Sequence, residues 1–337
     1  MDDYKNLNIH FVFFIILVLA STSCTQERND MTLFNKAKLL AVYVEANNEK
    51  DGLSSGSFGD LVLMNLTSGE SLKLTNDGFY DTKPCFSPDG KYILFQSNRI
   101  GEKLYLDVKG ISGPFDIFIY DLEKCKISQI DIPYQTNRPR EYRESIRDMD
   151  WMPEGKNLFF KLLKNEIYLY NIESKTTKLL RKITEFPMID NLSVSAKNIF
   201  AFSFRQTLDN LDNAGLALFD VTKDSIIIFN YYSNTFGPWN NIGDRLLYWG
   251  NNRTIYVYDY LKNEKKELFP IANDLLIYKN LFQNEEDVIL LCGLYRKADS
   301  VIYEPKQVVI YNLKTKKYNW LTDTNLEKDW MDVYIRE

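Results

Sequence analysis

Residues 82–101 read TKPCFSPDGKYILFQSNRIG, and residues 116–123 read DIFIYDLE. The first stretch holds two short apolar runs joined by Ser87-Pro88-Asp89-Gly90. Proline presets the backbone for a turn and glycine accepts a positive φ, so the stretch reads as strand, tight turn, strand. In the second, strand alternation points Ile117 and Ile119 one way and Phe118 and Tyr120 the other. Both faces are apolar, which predicts a strand buried on both sides.

The same signals recur along the chain. DLVLMNL (60–66), DIFIYDL (116–122), EIYLYNI (166–172), GLALFDV (215–221), TIYVYDY (254–260) and QVVIYNL (307–313) share one layout, an aliphatic strand ending in Asp or Asn. Their spacing is about 50 residues, a period of propeller blades. A short polar turn and a further strand follow each, and the Asp or Asn is expected to cap backbone N–H groups of that turn. A shared acid site is the sharper alternative. The strand–turn–strand pattern precedes three of these segments closely: Phe86, Trp151 and Trp239 each lie four residues before Gly90, Gly155 and Gly243. Weaker copies begin near Leu192 and Phe282. Each unit therefore reads as four antiparallel strands, A to D.

With its Pro, aromatic, SPDGK, apolar strand, S-x-R-x-G and following IY-x-D-L, the opening stretch resembles the WD-like repeat of TolB-type propellers. The resemblance covers about residues 32–337 and implies an all-β, six-bladed β-propeller used for binding. It implies no particular reaction, because the fold hosts many roles. Leu39–Glu45, Leu61–Leu66 and Ser71–Thr75 supply three strands of the first blade. Trp330–Ile335 is expected to be its missing strand, closing the ring from the C-terminus and leaving no long unpaired edge. A ring closed in this way is expected to be monomeric.

The N-terminal segment reads as an address. Phe11–Ala20 is an unbroken apolar run, followed by Ser21-Thr22-Ser23-Cys24. As a helix the run rises only about 15 Å, too short to span a bilayer, so it fits a secretory signal. A cysteine after three small residues resembles the lipobox of bacterial lipoproteins, with departures: Lys5 stands beside Asp2 and Asp3, and Ser21 stands where the family usually has Leu. The resemblance implies cleavage after residue 23, acylation of Cys24, a tether over 24–31 and a domain over 32–337, held at the outer membrane on an unspecified side. Ordinary secretion is the alternative.

The chain has 337 residues, 41 Lys+Arg against 46 Asp+Glu, and a formal charge of -5, which argues against nucleic-acid coating. Its single histidine is His10, inside the segment expected to be removed. Nucleophile chemistry built on histidine is thereby excluded from the mature domain as usually constructed. No G-x-S-x-G, P-loop or dinucleotide fingerprint occurs. Cys85, Cys125 and Cys292 are widely separated and form no CxxC pair, so neither a disulfide framework nor a zinc site is expected. No metal or cofactor is expected.

Function is expected on the long connections, where binding residues concentrate. These are 47–59, 100–115, 131–147, 205–214 and 295–306. The richest carries Tyr134, Arg138, Arg140, Tyr142, Arg143 and Arg147. Guanidinium groups bind carboxylates bidentately and stack on aromatics, suiting an anionic or sugar-like ligand or an acidic partner peptide. Pairing with Glu141 and Glu144 is the structural alternative. Arg99, Arg205, Arg253 and Arg296 close the B-strand region in four units and could ring a positive mouth. Carboxylate-pair chemistry needs no histidine, leaving Asp81, Asp148, Asp150, Asp190 and Asp329 as candidates for a glycosidase or lactonase. The expectation is a non-catalytic binding or scaffolding propeller of the envelope, with that hydrolase as the alternative.

Overall fold

The computed structural model describes residues 31, 34, 36–46, 59–77, 79–99, 106–107, 110–111, 115–130, 146, 148–162, 165–206, 214–231, 236–240, 242–250, 253–271, 275–283, 287–297, 301–303, 307–320 and 328–335. The regular structure is almost entirely antiparallel strand. In chain order come β1 (Leu39–Ala46), β2 (Gly59–Asn65) and β3 (Ser71–Lys73), then β4 (Asp81–Phe86) and β5 (Tyr92–Ser97). A short ribbon, β6 (Leu106–Asp107) with β7 (Gly110–Ile111), precedes β8 (Asp116–Asp121) and β9 (Lys126–Gln129). Next are β10 (Asp148–Trp151), β11 (Asn157–Lys161), β12 (Glu166–Asn171) and β13 (Thr176–Lys182). They are followed by β14 (Met188–Val194), β15 (Ile199–Arg205), β16 (Ala214–Asp220) and β17 (Ser225–Tyr231). The next group is β18 (Phe236–Trp239), β19 (Arg245–Trp249), β20 (Thr254–Asp259) and β21 (Glu264–Pro270). Last come β22 (Leu275–Gln283), β23 (Asp287–Lys297), β24 (Val301–Tyr303), β25 (Gln307–Asn312), β26 (Lys317–Trp320) and β27 (Lys328–Ile335).

Three sheets are four-stranded in sequence order: β10 to β13, β14 to β17 and β18 to β21. A fourth orders β22-β23-β25-β26, with β24 folded back on β23. The remaining strands form an 8-stranded sheet that divides at a single residue pair, Gly59 opposite Asp81. One side is β4-β5-β8-β9; the other is β27-β1-β2-β3, in which the C-terminal strand pairs antiparallel with β1 from Leu39↔Ile335 to Glu45↔Lys328.

The doubly apolar strands do what their pattern requires. Ile93, Phe95, Phe118 and Tyr120 join a core with Val42, Val44, Leu61 and Leu63 of the preceding group. Their alternates Leu94, Ile117 and Ile119 join Met149, Trp151, Leu158 and Phe160 of the following one. Phe159 then leaves that core for the next, where it meets Phe200 edge-on at 5.0 Å. Further cores join Leu216 and Leu218 to Trp239 and Leu246, and Leu247 and Ile255 to Val288 and Val309. The sheets therefore stack face to face.

Turn chemistry repeats with the strands. The side-chain oxygens of Asn65, Asp121, Asn171, Asp220, Asp259 and Asn312 accept the backbone N–H of Thr67, Lys124, Ser174, Thr222, Lys262 and Thr315 at 2.8–3.1 Å. Four residues after each acceptor stands a residue of positive φ: Gly69, Cys125, Lys175, Asp224, Asn263 or Lys316. The recurring acid or amide is thus a turn cap. In the A–B turns the positive φ falls on Gly90, Gly155 and Gly243, and in the weak copy after Leu192 on Asn198, since asparagine tolerates that region. At Gly243 a Cβ would stand 2.7 Å from the backbone nitrogen of Ala196, in the turn of the adjacent sheet.

Two expected long connections are partly structured. Residues 100–115 carry the β6–β7 ribbon, and Tyr295–Lys297, expected in a connection, extend β23 and pair with Val301–Tyr303. Cys85 is buried in an apolar core, as its strand pattern predicts; Cys24 and the side chain of Cys292 lie outside the described residues.

Asp220 ties two sheets together. It accepts from Thr222 and from the Tyr260 hydroxyl of the next sheet, which in turn accepts from Lys223 Nζ at 2.9 Å. Burial opposes ionisation of Asp220, but these hydrogen bonds outweigh it and hold the carboxyl well below its ordinary range. A depressed carboxyl contributes stability above the unfolded pKa and loses it as pH falls through the folded one. Asp220→Asn is therefore expected to melt below wild type at neutral pH, with the gap closing as pH drops below about 4; melting curves across pH check this, and a constant gap would refute it. Deleting residues from Leu326 onward removes β27 from β1 and is expected to abolish cooperative unfolding. A truncated chain with an unchanged Tm would overturn the importance of that pairing.

Candidate functional site

The antiparallel register sets the starts of A strands beside the ends of B strands. Asp81 lies opposite Ser97, Asp148 opposite Lys161 and Asp190 opposite Ser203. Residues 99–115 leave from this end of the sheets and 131–147 return to it, whereas the opposite end carries the tight A–B and C–D turns. Side chains fix the arriving backbone. Gln96 donates to the Ile146 carbonyl at 3.2 Å; Asn165 donates to Phe186 O at 3.0 Å and accepts from the Ile189 N–H at 3.1 Å.

Two charged constellations occupy this end. In the first, Arg99 donates through Nη2 to both oxygens of Asp81 at 2.8 Å, through Nη1 to Asp77, and through Nε to Ser97 Oγ at 3.0 Å. Its guanidinium lies 5.4 Å from the ring centroids of Phe79 and Phe95 and 5.7 Å from that of Phe118. Asp81 is fully buried. Burial raises its carboxyl against the pull of Arg99 and of hydrogen bonds from Arg99, Ser97 and Thr75.

The second draws on three consecutive sheets. Lys161, 1% exposed, ends β11 with Nζ 3.9 Å from Asp148 Oδ2 and 3.7 Å from Asp190 Oδ1. Lys83 approaches Asp148 from the preceding sheet. Burial raises the Asp148 carboxyl, Lys83 and Lys161 oppose that, Asp190 reinforces it, and the Leu192 N–H donates to the carboxylate. Asp148 Oδ2 is buried with no hydrogen-bond partner. Lys83 and Asn191 have positive φ at irregularities in β4 and β14, between Thr82 and Cys85 and between Asp190 and Ser193. Bulges of this kind re-aim side chains beside functional sites.

The arginines singled out from sequence are not equivalent. Counted from the B-strand residue opposite the turn-capping Asp or Asn (Tyr92, Ile199, Arg245, Asp287), they stand seven, six, eight and nine residues on. Arg99 is enclosed by its own sheet; Arg205 ends β15 half-buried; Arg253 is exposed with positive φ, its carbonyl accepting from the Ile271 N–H at 2.7 Å. Arg296 pairs with Ile302 in the β23–β24 ribbon, its side chain outside the described residues. Tyr134, Arg138, Arg140, Tyr142, Arg143 and Arg147 also lie outside them. Of the candidate carboxylates, Asp148 and Asp190 meet at one lysine, Asp81 is taken by Arg99, and the Asp150 carboxylate accepts from the Trp151 N–H at 2.7 Å. The side chain of Asp329 lies outside the described residues. Sequence reading passed over Lys161; its signal was a lone charge inside an apolar strand, between Phe160 and Leu162. Among the described residues no group of three or more His, Cys, Asp or Glu is placed to hold a metal ion.

No family model matches the chain. Over 144 residues, 42% of this chain, it is 28% identical to dipeptidyl-peptidase 5 of Porphyromonas gingivalis, a match covering 19% of that protein. Over 68 residues, 20% of this chain, it is 35% identical to the uncharacterized peptidase YuxL of Bacillus subtilis, covering 9% of it. The chain thus matches less than a fifth of the length of either relative. Among solved structures it resembles TolB from Acinetobacter baumannii, with TM-score 0.60 and 14% identity over 87% of this chain and 66% of that one. It also resembles an oligogalacturonate lyase in complex with manganese, with TM-score 0.50 and 11% identity over 86% of this chain and 74% of that one. At these identities the likeness is one of fold: the chain has a TolB-like, β-propeller type of fold.

Removing Arg99 would strand Asp81 as a buried, unpaired charge, a loss of about 3–5 kcal/mol. Arg99→Met is therefore expected to lower stability by that order in denaturant unfolding. A variant as stable as wild type would show that Arg99 is not a structural ion-pair partner.

Proposed function

We propose that the chain is a six-bladed propeller, closed by β27 on β1, that is tethered to the cell envelope through a lipid on Cys24. It acts there as a monomeric binding or scaffolding module, without catalysis and without a cofactor. Its ligand is an anionic or carbohydrate group, or an envelope protein partner, held at the strand ends from which residues 99–115 and 131–147 depart. The observation that carries the reading is the convergence of Lys83, Asp148, Lys161 and Asp190 from three consecutive sheets at that end. The recurring Asp and Asn of the opposite end, by contrast, are spent on turns. Closure is supported by the grouping of strands in fours and by the β27–β1 register. The envelope assignment rests on the apolar run before Cys24 and on the TolB-like fold.

A second reading, a carboxylate-dependent hydrolase of glycosidase or lactonase type, is favoured by one feature. Asp148, its carboxyl raised by burial, shares Lys161 with Asp190, so two carboxylates stand at one point as carboxylate-pair hydrolysis requires. The peptidase likeness adds little to catalysis here, because the chain has only His10 and no G-x-S-x-G.

The arginines of residues 131–147 supply the anion-binding part of the site. Replacing Arg138, Arg140 and Arg143 together by alanine is expected to abolish capture of partners from envelope extracts, and of acidic glycans on an array, with Tm unchanged. Capture equal to the parent would overturn the role of that segment, and turnover of a glycan or lactone would replace the binding reading by the hydrolytic one.

A further inference from the structure

One sheet breaks the polar pattern of the tight turns. In the A–B turns the residue before the positive-φ position is Asp89, Glu154 or Lys197, but between β18 and β19 it is Ile242. In the C–D turns the second residue after the capping Asp or Asn is Thr67, Glu123, Glu173, Thr222 or Lys314, but after β20 it is Leu261. These two turns are neighbours, since the Tyr260 N–H donates to the Asp244 carbonyl at 2.8 Å. Ile242 and Leu261 are each 63% exposed, more than any other large apolar side chain among the described residues. Turn geometry does not call for them: the Asp259 cap and the positive φ of Gly243 are those of the sister turns, which carry polar residues at the same places.

We propose that the tight-turn end of the sheets lies on the lipid surface, with Ile242 and Leu261 entering it, so that the end bearing residues 131–147 is held away from the membrane. This step rests on the lipid at Cys24 read above and adds the side of the domain that faces the bilayer.

The route of the chain selects lipid as the occupant. The chain enters β1 at the tight-turn end, where the Leu39 carbonyl accepts from the N–H of Leu66, the residue after the Asn65 cap, at 3.0 Å. Just before it, Met31, Phe34 and Ala37 are buried in the core that also takes Phe86 and Leu122 from the edges of the neighbouring turns. Seven residues separate Cys24 from Met31, a reach of about 25 Å at full extension. β1 has 8 residues and is therefore about 27 Å long. Bringing the opposite end down to the membrane would exhaust that reach, whereas the tight-turn end needs little of it. Once the anchor is inserted, contact of the turns with lipid is intramolecular, so two aliphatic tips suffice to orient the domain. Charge adds little here, because exposed Lys124, Lys223 and Lys262 stand 2.7–3.6 Å from the capping Asp121, Asp220 and Asp259 of their own turns. Uncharged lipid is therefore enough.

The test uses the full-length chain, acylated in a bacterial host and checked by intact mass, on phosphatidylcholine vesicles carrying a photoactivatable acyl chain. After illumination, peptide mass spectrometry locates the label. It is expected on residues 240–244 and 260–263, and to fall at least fivefold there in Ile242→Ser with Leu261→Ser, with vesicle flotation and Tm unchanged. Label on 131–147, label on the outer strands at Leu179 and Ile228 instead, or turn label that survives the double substitution would each overturn the proposal. So would turn label that appears only when phosphatidylglycerol is added. A chain carrying no lipid by intact mass would end the Cys24 reading and this step with it, whereas an acylated, floating chain with unlabelled turns would end this step alone.

Discussion

Everything in this molecule depends on sheets packing face to face. Central strands such as β5, β8, β11, β15 and β19 send alternate side chains into two different cores, so their sheets have no finished interior of their own. Phe95 and Phe118 belong to one core and Leu94 and Ile117 to the next. Phe159 and Phe160, adjacent in sequence, are divided in the same way. Fully burying such a side chain is worth about 1.5–3 kcal/mol, but only when the neighbouring sheet is present to bury it. A group with a neighbour on each face therefore borrows its stability from both, and the pairing of β27 with β1 joins the two ends of the chain within one sheet.

This packing also decides where polar groups can stand. The sheet faces are closed to them, so charge and amide collect at the two ends of the strands. At one end the groups are absorbed by tight turns, where an Asp or Asn oxygen meets orphan N–H groups at 2.8–3.1 Å. Some reach across to the next sheet, as Asp220 does to Tyr260. At the other end longer chain segments depart and return. Here lie the Arg99–Asp81 pair, buried among aromatics, and the cluster of Lys161 with Lys83, Asp148 and Asp190. The first is satisfied within its own sheet. The second instead gathers side chains from three consecutive sheets around one buried lysine.

Much of the fold was legible because its rules are local. The alternation of Ile117, Phe118, Ile119 and Tyr120, the Ser87–Gly90 turn and the capping role of Asp121 all act within a few residues, and each stands in the structure as read. The degenerate copy near Leu192 was harder, because Asn198 replaces the expected glycine while its backbone keeps the same positive φ. The ribbons β6–β7 and β23–β24 were read as plain connections, since two or three paired residues leave no period to detect. For the site, sequence named Asp148 and Asp190 among several acids but gave no reason to join them. Lys161, which joins them, was hidden in an apolar strand. The four B-strand arginines looked alike as text, yet the register sets them at four different offsets.

What the amino-acid sequence determined by itself is the strand, the turn and the repeat, together with the absence of histidine beyond His10. Alternation, turn propensity and composition are properties of neighbouring residues and need no tertiary contact to be read. What only the tertiary structure decided is which charges meet. Lys83, Asp148, Lys161 and Asp190 span more than a hundred residues of chain, and they converge because three stacked sheets present equivalent strand ends to a common point. Electrostatic interaction depends on distance through space and on burial, and sequence separation carries neither.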